Sequence, residues 1–300
     1  MTKLKPPMKK IILSLFLAVS FSNYGQDYFE QFKKSWKEDH DFTKTEKIIK
    51  KWESKDANDP NLYIAAFNFY FTESRKEILA LDSHPGEGES LALKDSLNNT
   101  AGYLKSTNLR NDLLFVLGQQ YLTTGIQKFP KRLDLRFGKI YAYGDFKKLD
   151  DFTKDILTTL DYSVSINHKW LWKEDKPLDD EIIFVKSAVQ DYQNTLYQNN
   201  SFVNMRKIAE KMNAVFPKDP IILSTLGVSY LLEENYTNAL AIFKEANTLD
   251  DKDEIILNNI ALCYLKLDDK ANAKKYYEQL TKAKNTDISE FAKEKLKELK

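Results

Sequence analysis

Two stretches near the C-terminus align without a gap at an offset of 34 residues. Pro220-Ile221-Ile222-Leu223-Ser224-Thr225-Leu226-Gly227-Val228-Ser229-Tyr230 lies over Glu254-Ile255-Ile256-Leu257-Asn258-Asn259-Ile260-Ala261-Leu262-Cys263-Tyr264. Further on, Ala239, Phe243 and Ala246 lie over Ala273, Tyr277 and Leu280. A period of this length constrains the fold more than any other feature. Each repeat is then one supersecondary unit that cannot bury its apolar face alone and must stack on the next. Within the unit the spacing is helical: Leu223, Leu226 and Tyr230 form one stripe, and Ala239, Phe243 and Ala246 form a second. Asp219 before Pro220 supplies an N-cap with Pro at the first helical position. Gly227 and Ala239 are small where two antiparallel helices approach closest, which leaves room for Phe243 and Tyr230. Glycine in a helix costs about 1 kcal/mol relative to alanine, so Gly227 implies a contact that a larger side chain would obstruct.

With Leu226, Gly227, Tyr230, Ala239, Phe243 and Ala246 at these positions, and Leu223 where the pattern often has Trp, the chain resembles the tetratricopeptide repeat family. The resemblance implies an all-α, tetratricopeptide-like solenoid of helical hairpins. Its best units are residues 220–253 and 254–285, within an array over 179–300 that ends in a capping helix carrying Ile288, Phe291, Leu296 and Leu299. Upstream the pattern is weaker. Asp179 to Gln198 reads as a first helix, with Met205, Ala209 and Met212 on its second. Gly118, Leu122, Gly125 and Pro130 repeat a small-large-small-Pro spacing, and Asp59-Pro60-Asn61-Leu62-Tyr63 echoes the start at Asp219. Residues 27–160 therefore read as a divergent helical half.

Two stretches interrupt the helices. In residues 76–106, turn residues flank Leu91-Ala92-Leu93 and Ala101-Gly102-Tyr103-Leu104, which predicts an inserted β-hairpin. Ile78-Leu79-Ala80-Leu81 is a candidate third strand or a helix. Residues 161–178, with Trp170-Leu171-Trp172 and Pro177, read as a loop with apolar anchors.

At the N-terminus, Lys9 and Lys10 precede an apolar run from Ile11 to Phe21. That run is about half of the roughly 20 residues a bilayer span needs. Residues 1–22 thus read as a secretory signal peptide, cleaved after Ser22 or after Gly25, with Met8 a second possible start. The expectation is an exported protein, periplasmic or secreted, with no membrane span after cleavage. The single cysteine, Cys263, leaves no lipid-bearing Cys after the run and no internal disulfide framework.

Composition narrows the functions. The chain has 45 Lys and Arg against 44 Asp and Glu, too even a balance for a nucleic-acid groove. Loss of residues 1–22 removes four lysines and no acid. No phosphate-binding, nucleophile-elbow or zinc-protease motif is present. His40, His84 and His168 are scattered, Cys263 reads as a small apolar residue in a helix, and the acidic pairs read as caps. No catalytic residue, metal ligand or cofactor is expected.

The family resemblance implies a non-catalytic scaffold whose first helices line a groove for a protein or peptide. The groove-facing residues would be Ser224, Val228 and Leu231, then Asn258, Leu262 and Leu265. Asn259 alone matches a carboxylate-clamping subset of the family. The alternative is a carbohydrate- or envelope-polymer-binding protein that uses Trp170 and Trp172 as an exposed stacking pair.

Overall fold

The computed structural model describes residues 23–85 and 89–299. The proposed signal peptide and the Ser22 cleavage point lie outside these residues, as do Gly86, Glu87 and Gly88. The described chain is mostly helical, as the repeat predicts, with one small sheet. It divides into two compact units. The first runs to Ala142 and also takes in Leu171–Pro177; the second contains Tyr143–Trp170 and Leu178 onward.

In the first unit, α1 (Asn23–Lys33) passes through a π-helical turn (Lys34–Glu38) and is followed by α2 (Phe42–Lys55) and α3 (Pro60–Glu73). The α3 helix is apolar nearly all round, with Leu62, Tyr63, Phe67, Phe69, Tyr70 and Phe71 buried, and so it serves as the centre of this unit. It starts as the sequence predicts, with Asp59 Oδ1 accepting from the Asn61 amide at 2.9 Å and Pro60 in the first turn. Next come a three-stranded antiparallel sheet, α4 (Asp112–Lys128) and α5 (Leu133–Asp145), which continues past the boundary into the second unit. Gly125 of α4 lets that helix lie against α3, since a Cβ there would stand 2.9 Å from Tyr63 Cβ.

The inserted element is larger than a hairpin. Its strands are β1 (Arg75–Asp82), β2 (Ser90–Lys94) and β3 (Thr100–Arg110), in the order β1-β3-β2. The β2–β3 pair is the expected hairpin, with Leu91 opposite Leu104 and Leu93 opposite Gly102. Ile78–Leu81 forms a strand rather than a helix because β3 is long enough to pair with it along its whole length.

Residues 171–177 are sewn to the turn between α4 and α5. The Leu171 amide donates to Lys131 O at 2.9 Å, and the Leu133 amide donates to Leu171 O at 3.0 Å. Beneath them Arg132 and Asp134, both almost fully buried, form a two-pronged pair through Nε–Oδ1 (2.9 Å) and Nη2–Oδ2 (2.7 Å). Arg132 Nη1 also reaches Asp175 Oδ1 at 3.2 Å. The sequence reading missed this cluster.

The second unit is an array of helical hairpins: α6 (Leu149–Ser165), α7 (Glu181–Gln198), α8 (Phe202–Val215), α9 (Pro220–Leu232), α10 (Tyr236–Leu249), α11 (Glu254–Lys266), α12 (Lys270–Leu280) and α13 (Thr286–Glu298). The 161–178 stretch is not loop throughout, since α6 keeps its helical hydrogen bonding to Ser165.

The 34-residue register is physical. Asp219 Oδ1 caps the amides of Ile221 and Ile222, and Asp253 Oδ1 those of Ile255 and Ile256. Asn235 and Asp269 cap α10 and α12 in the same way. Before these caps Glu234 and Asp268 both adopt φ 59°, and Asn200 adopts φ 54° one unit earlier. Phe243 and Tyr277 are fully buried, each against the small residues of its own hairpin. Tyr230 and Tyr264 are both half-buried, and each faces the residue twenty places earlier. Tyr230 donates to Glu210 Oε1 at 2.9 Å, while Lys244 Nζ stands 5.1 Å from the Tyr264 ring. The cap α13 covers Tyr277 and Leu280 through Ala292, Ile288 and Leu296.

Cys263 lies fully buried in the core between α10 and α11, and burial pushes its thiol up to about 11. A thiol-specific reagent is expected to label it about two orders of magnitude more slowly than a free cysteine near neutral pH, and at the normal rate in denaturant. Fast labelling of the native protein would remove Cys263 from the core.

Candidate functional site

The second unit carries a cavity of about 200 Å³ between α7 and α9, floored by Ala209 and Met212 of α8. Its walls follow from helix periodicity. Ile183, Lys186 and Gln190 recur at three and four residues on α7, as Ile221 and Thr225 do on α9. Ile183 is 64% exposed and Ile221 58%. Two β-branched apolar side chains facing one cavity from opposite helices make a water-exposed apolar surface that a ligand can cover.

Polar groups punctuate this surface. Lys186 is ion-paired with Asp219, the cap of α9, so the α9 start and the α7 wall are tied together. The Asp219 carboxyl experiences partial burial, which raises its pKa. The Lys186 bond and the amides of Ile222 and Ile221 outweigh this and hold it below the ordinary value. Gln193 lies at the base, 4% exposed, with Nε2 donating to Met205 O at 3.1 Å. That bond fixes the amide orientation and turns Oε1 into a buried acceptor with no hydrogen-bond donor.

The groove residues expected from the sequence, Ser224, Val228, Leu231, Asn258, Asn259, Leu262 and Leu265, are all half-buried. At about 100° per residue, Val228 continues the stripe of Ile221 and Thr225, whereas Ser224 and Leu231 are rotated toward the neighbouring hairpin. Val228 and Leu231 pack on the core shared by α10 and α11, and Leu265 packs on the core of α12 and α13. One unit on, Asn259 and Leu262 stand in line with Ile255, itself 56% exposed. Asn258 Oδ1 is buried without a donor. The sequence reading missed Ile183, Lys186, Gln190, Gln193, Ile221 and Thr225. The signal available was an apolar residue, Ile221 and Ile255, placed at 34-residue spacing just after each cap and beyond what the core stripe needs.

Trp170 and Trp172 do not form an exposed stacking pair. Trp170 is buried, with Nε1 donating to Ser163 Oγ at 3.0 Å and its ring against Tyr162, inside the second unit. Trp172 belongs to the first unit and is half-buried, its ring edge-on to Phe137 at 6.5 Å. The Leu171 bridge to Arg132 anchors the chain between them, so the two rings serve two cores and not one exposed face. His40 and His84 are exposed, while His168 lies within 2.9 Å of Ser163 Oγ and against Phe216. Among the described residues no group of three or more His, Cys, Asp or Glu is placed to hold a metal ion. No helix of the described residues is long and apolar enough to cross a membrane.

Residues 256–287 match the tetratricopeptide repeat family model. No curated protein sequence matches the chain. Among solved structures, MamA from Desulfovibrio magneticus RS-1 is 13% identical, with 55% of this chain and 83% of that one covered and a TM-score of 0.36. The C-terminal part of a repeat-containing protein from Cytophaga hutchinsonii is 13% identical, covering 92% and 95%, with a TM-score of 0.42. A repeat protein from Parabacteroides merdae is 13% identical, covering 92% and 86%, with a TM-score of 0.36. The family match runs from within α11 through α12, and the preceding hairpin repeats their caps, their small-beside-large contacts and their register, so over these two hairpins the chain carries tetratricopeptide repeats.

Proposed function

We propose that this protein is an exported, non-catalytic scaffold that holds a protein or peptide segment between α7 and α9. The observation that carries the reading is the groove itself. Exposed Ile183 and Ile221 face it from two sides, and Gln193 is among its lining residues. An occupant suited to it presents a branched apolar side chain to the two isoleucines.

A displayed-peptide selection against the wild type, rescored on a variant carrying Ile183→Glu and Ile221→Glu, tests this. Selected peptides are expected to lose at least about tenfold in affinity on the variant, while its thermal unfolding stays unchanged because both side chains are exposed. Equal binding to both proteins would move the site elsewhere. Export rests on the apolar run after Lys9 and Lys10. Cell fractionation with N-terminal mass spectrometry is expected to find a chain starting at Asn23 or Gln26 outside the cytoplasm, and an intact N-terminus in the cytoplasm would refute it.

A further inference from the structure

The inserted sheet of the first unit presents a free edge whose chemistry fits itself. The strand β1 pairs with β3 over eight positions, from Arg75 opposite Arg110 to Asp82 opposite Tyr103, without a bulge. One step before the strand, the Asn111 amide donates to Ser74 O at 2.9 Å. In an antiparallel ladder such bonded residues alternate with unbonded ones. The even-numbered residues of β1 therefore direct their backbone groups to β3. The odd-numbered Glu77, Leu79 and Leu81 direct theirs outward, where no described strand pairs with them.

The same odd-numbered positions carry apolar side chains into solvent. Leu79 is 72% exposed and Leu81 73%, and Leu81, Leu104 and Leu91 form one row across all three strands. A long apolar edge of this kind is a template for strand addition unless it is covered.

We infer that β1 is a homodimer seam, in which two copies join edge to edge, antiparallel about a two-fold axis at Leu79, into one six-stranded sheet. Charge selects the register. Centring on Leu79 sets Leu79 opposite the second copy's Leu79 and Ile78 opposite its Ala80. Lys76, which stands 3.4 Å from Glu73, then faces the second copy's Asp82, whose counterpart stands 2.6 Å from Lys105, and symmetry repeats this alternating charge cluster at the other end. A shift by two residues toward one end sets Lys76 against an alanine, and toward the other sets Asp82 against Ile78. Of these three registers the Leu79-centred one places opposite charges across from each other, in the closer, non-hydrogen-bonded positions. Lys76, which would repel a foreign strand, becomes the discriminating residue here. The seam also sets the leucine rows of the two copies on the same face of the joined sheet.

The test uses the purified chain in sedimentation equilibrium. Wild type is expected to dimerise, and Leu79→Pro to dissociate at least about tenfold more readily, because proline at an outward-facing edge position removes the seam donor and spares the bonds to β3. Separately, Leu79→Cys is expected to form a disulfide dimer under mild oxidation, since its two-fold mate stands about 5.5 Å away between Cα atoms. Leu81→Cys, which faces Glu77, is expected to remain uncrosslinked, and the buried Cys263 does not compete. A wild type that stays monomeric at about 100 μM, above the range of ordinary stable interfaces, would overturn the proposal. So would a dimer that survives Leu79→Pro, or crosslinking through Leu81 in place of Leu79.

Discussion

Replacing Arg132 with Met is expected to destabilise the first unit by about 3–5 kcal/mol, because it leaves a buried carboxylate without its two-pronged partner. Arg132 and Asp134 have side chains 1% and 0% exposed, so water cannot substitute for the missing guanidinium. Burial works against the Arg132 charge, yet the bonds to Asp134 and the field of Asp175 outweigh it and raise its pKa further. Arg132→Met keeps much of the volume, which isolates the charge effect from cavity formation. Adding Asp134→Leu is expected to recover most of the loss, since an apolar pair of similar size is often no worse than a buried ion pair. Urea denaturation of the two variants checks both statements. A single variant as stable as wild type would mean that Asp134 finds solvent or another cation at no cost.

Gly227→Leu is expected to cost the second unit about 3 kcal/mol, the upper part of the usual overpacking range. A Cβ built at Gly227 falls 2.6–2.8 Å from three atoms of the Phe243 ring, and Phe243 is fully buried. The ring has no solvent-side space to move into. Gly227→Ala is a milder case: alanine returns about 1 kcal/mol of helix propensity against the ring shift. The next unit shows that shift accomplished, with Ala261 beside Tyr277 in the equivalent place. Alanine is thus expected to lie within about 1 kcal/mol of wild type, while leucine is not tolerated. Pairing Gly227→Leu with Phe243→Ala should cost less than the sum of the two single changes, because each vacates space the other fills. Thermal unfolding of the four proteins is the measurement, and an unchanged midpoint for Gly227→Leu would refute the close contact.

The repeat was legible because a hairpin of two helices needs small residues wherever a large one must fit beside them. That requirement returns every 34 residues as Gly227 and Ala261, Ala239 and Ala273, Phe243 and Tyr277. Asp219 and Asp253 were equally legible as caps, because capping is decided by the residue and its immediate neighbours. The third strand was ambiguous for a physical reason: Ile78-Leu79-Ala80-Leu81 suits a strand or a helix in isolation, and only the length of β3 decides between them. The cavity was not legible, since none of the groove residues expected from the sequence lines it. Val228, Asn259 and Leu262 fall near the exposed stripe, but Ile183 and Lys186 come from a unit whose match to the repeat is weak.

What the chain order determined by itself was the helical hairpin, its period and its caps, since these depend on contacts within about forty residues. Tertiary structure alone decided three things. It put Trp170 and Trp172 into different cores through the bridge from Leu171 to Arg132, and it buried the Arg132–Asp134 pair beneath that bridge. It also brought Ile183 of α7 across from Ile221 of α9. Local spacing carries no information about which side of one helix meets another, because that depends on how the intervening α8 is packed beneath both.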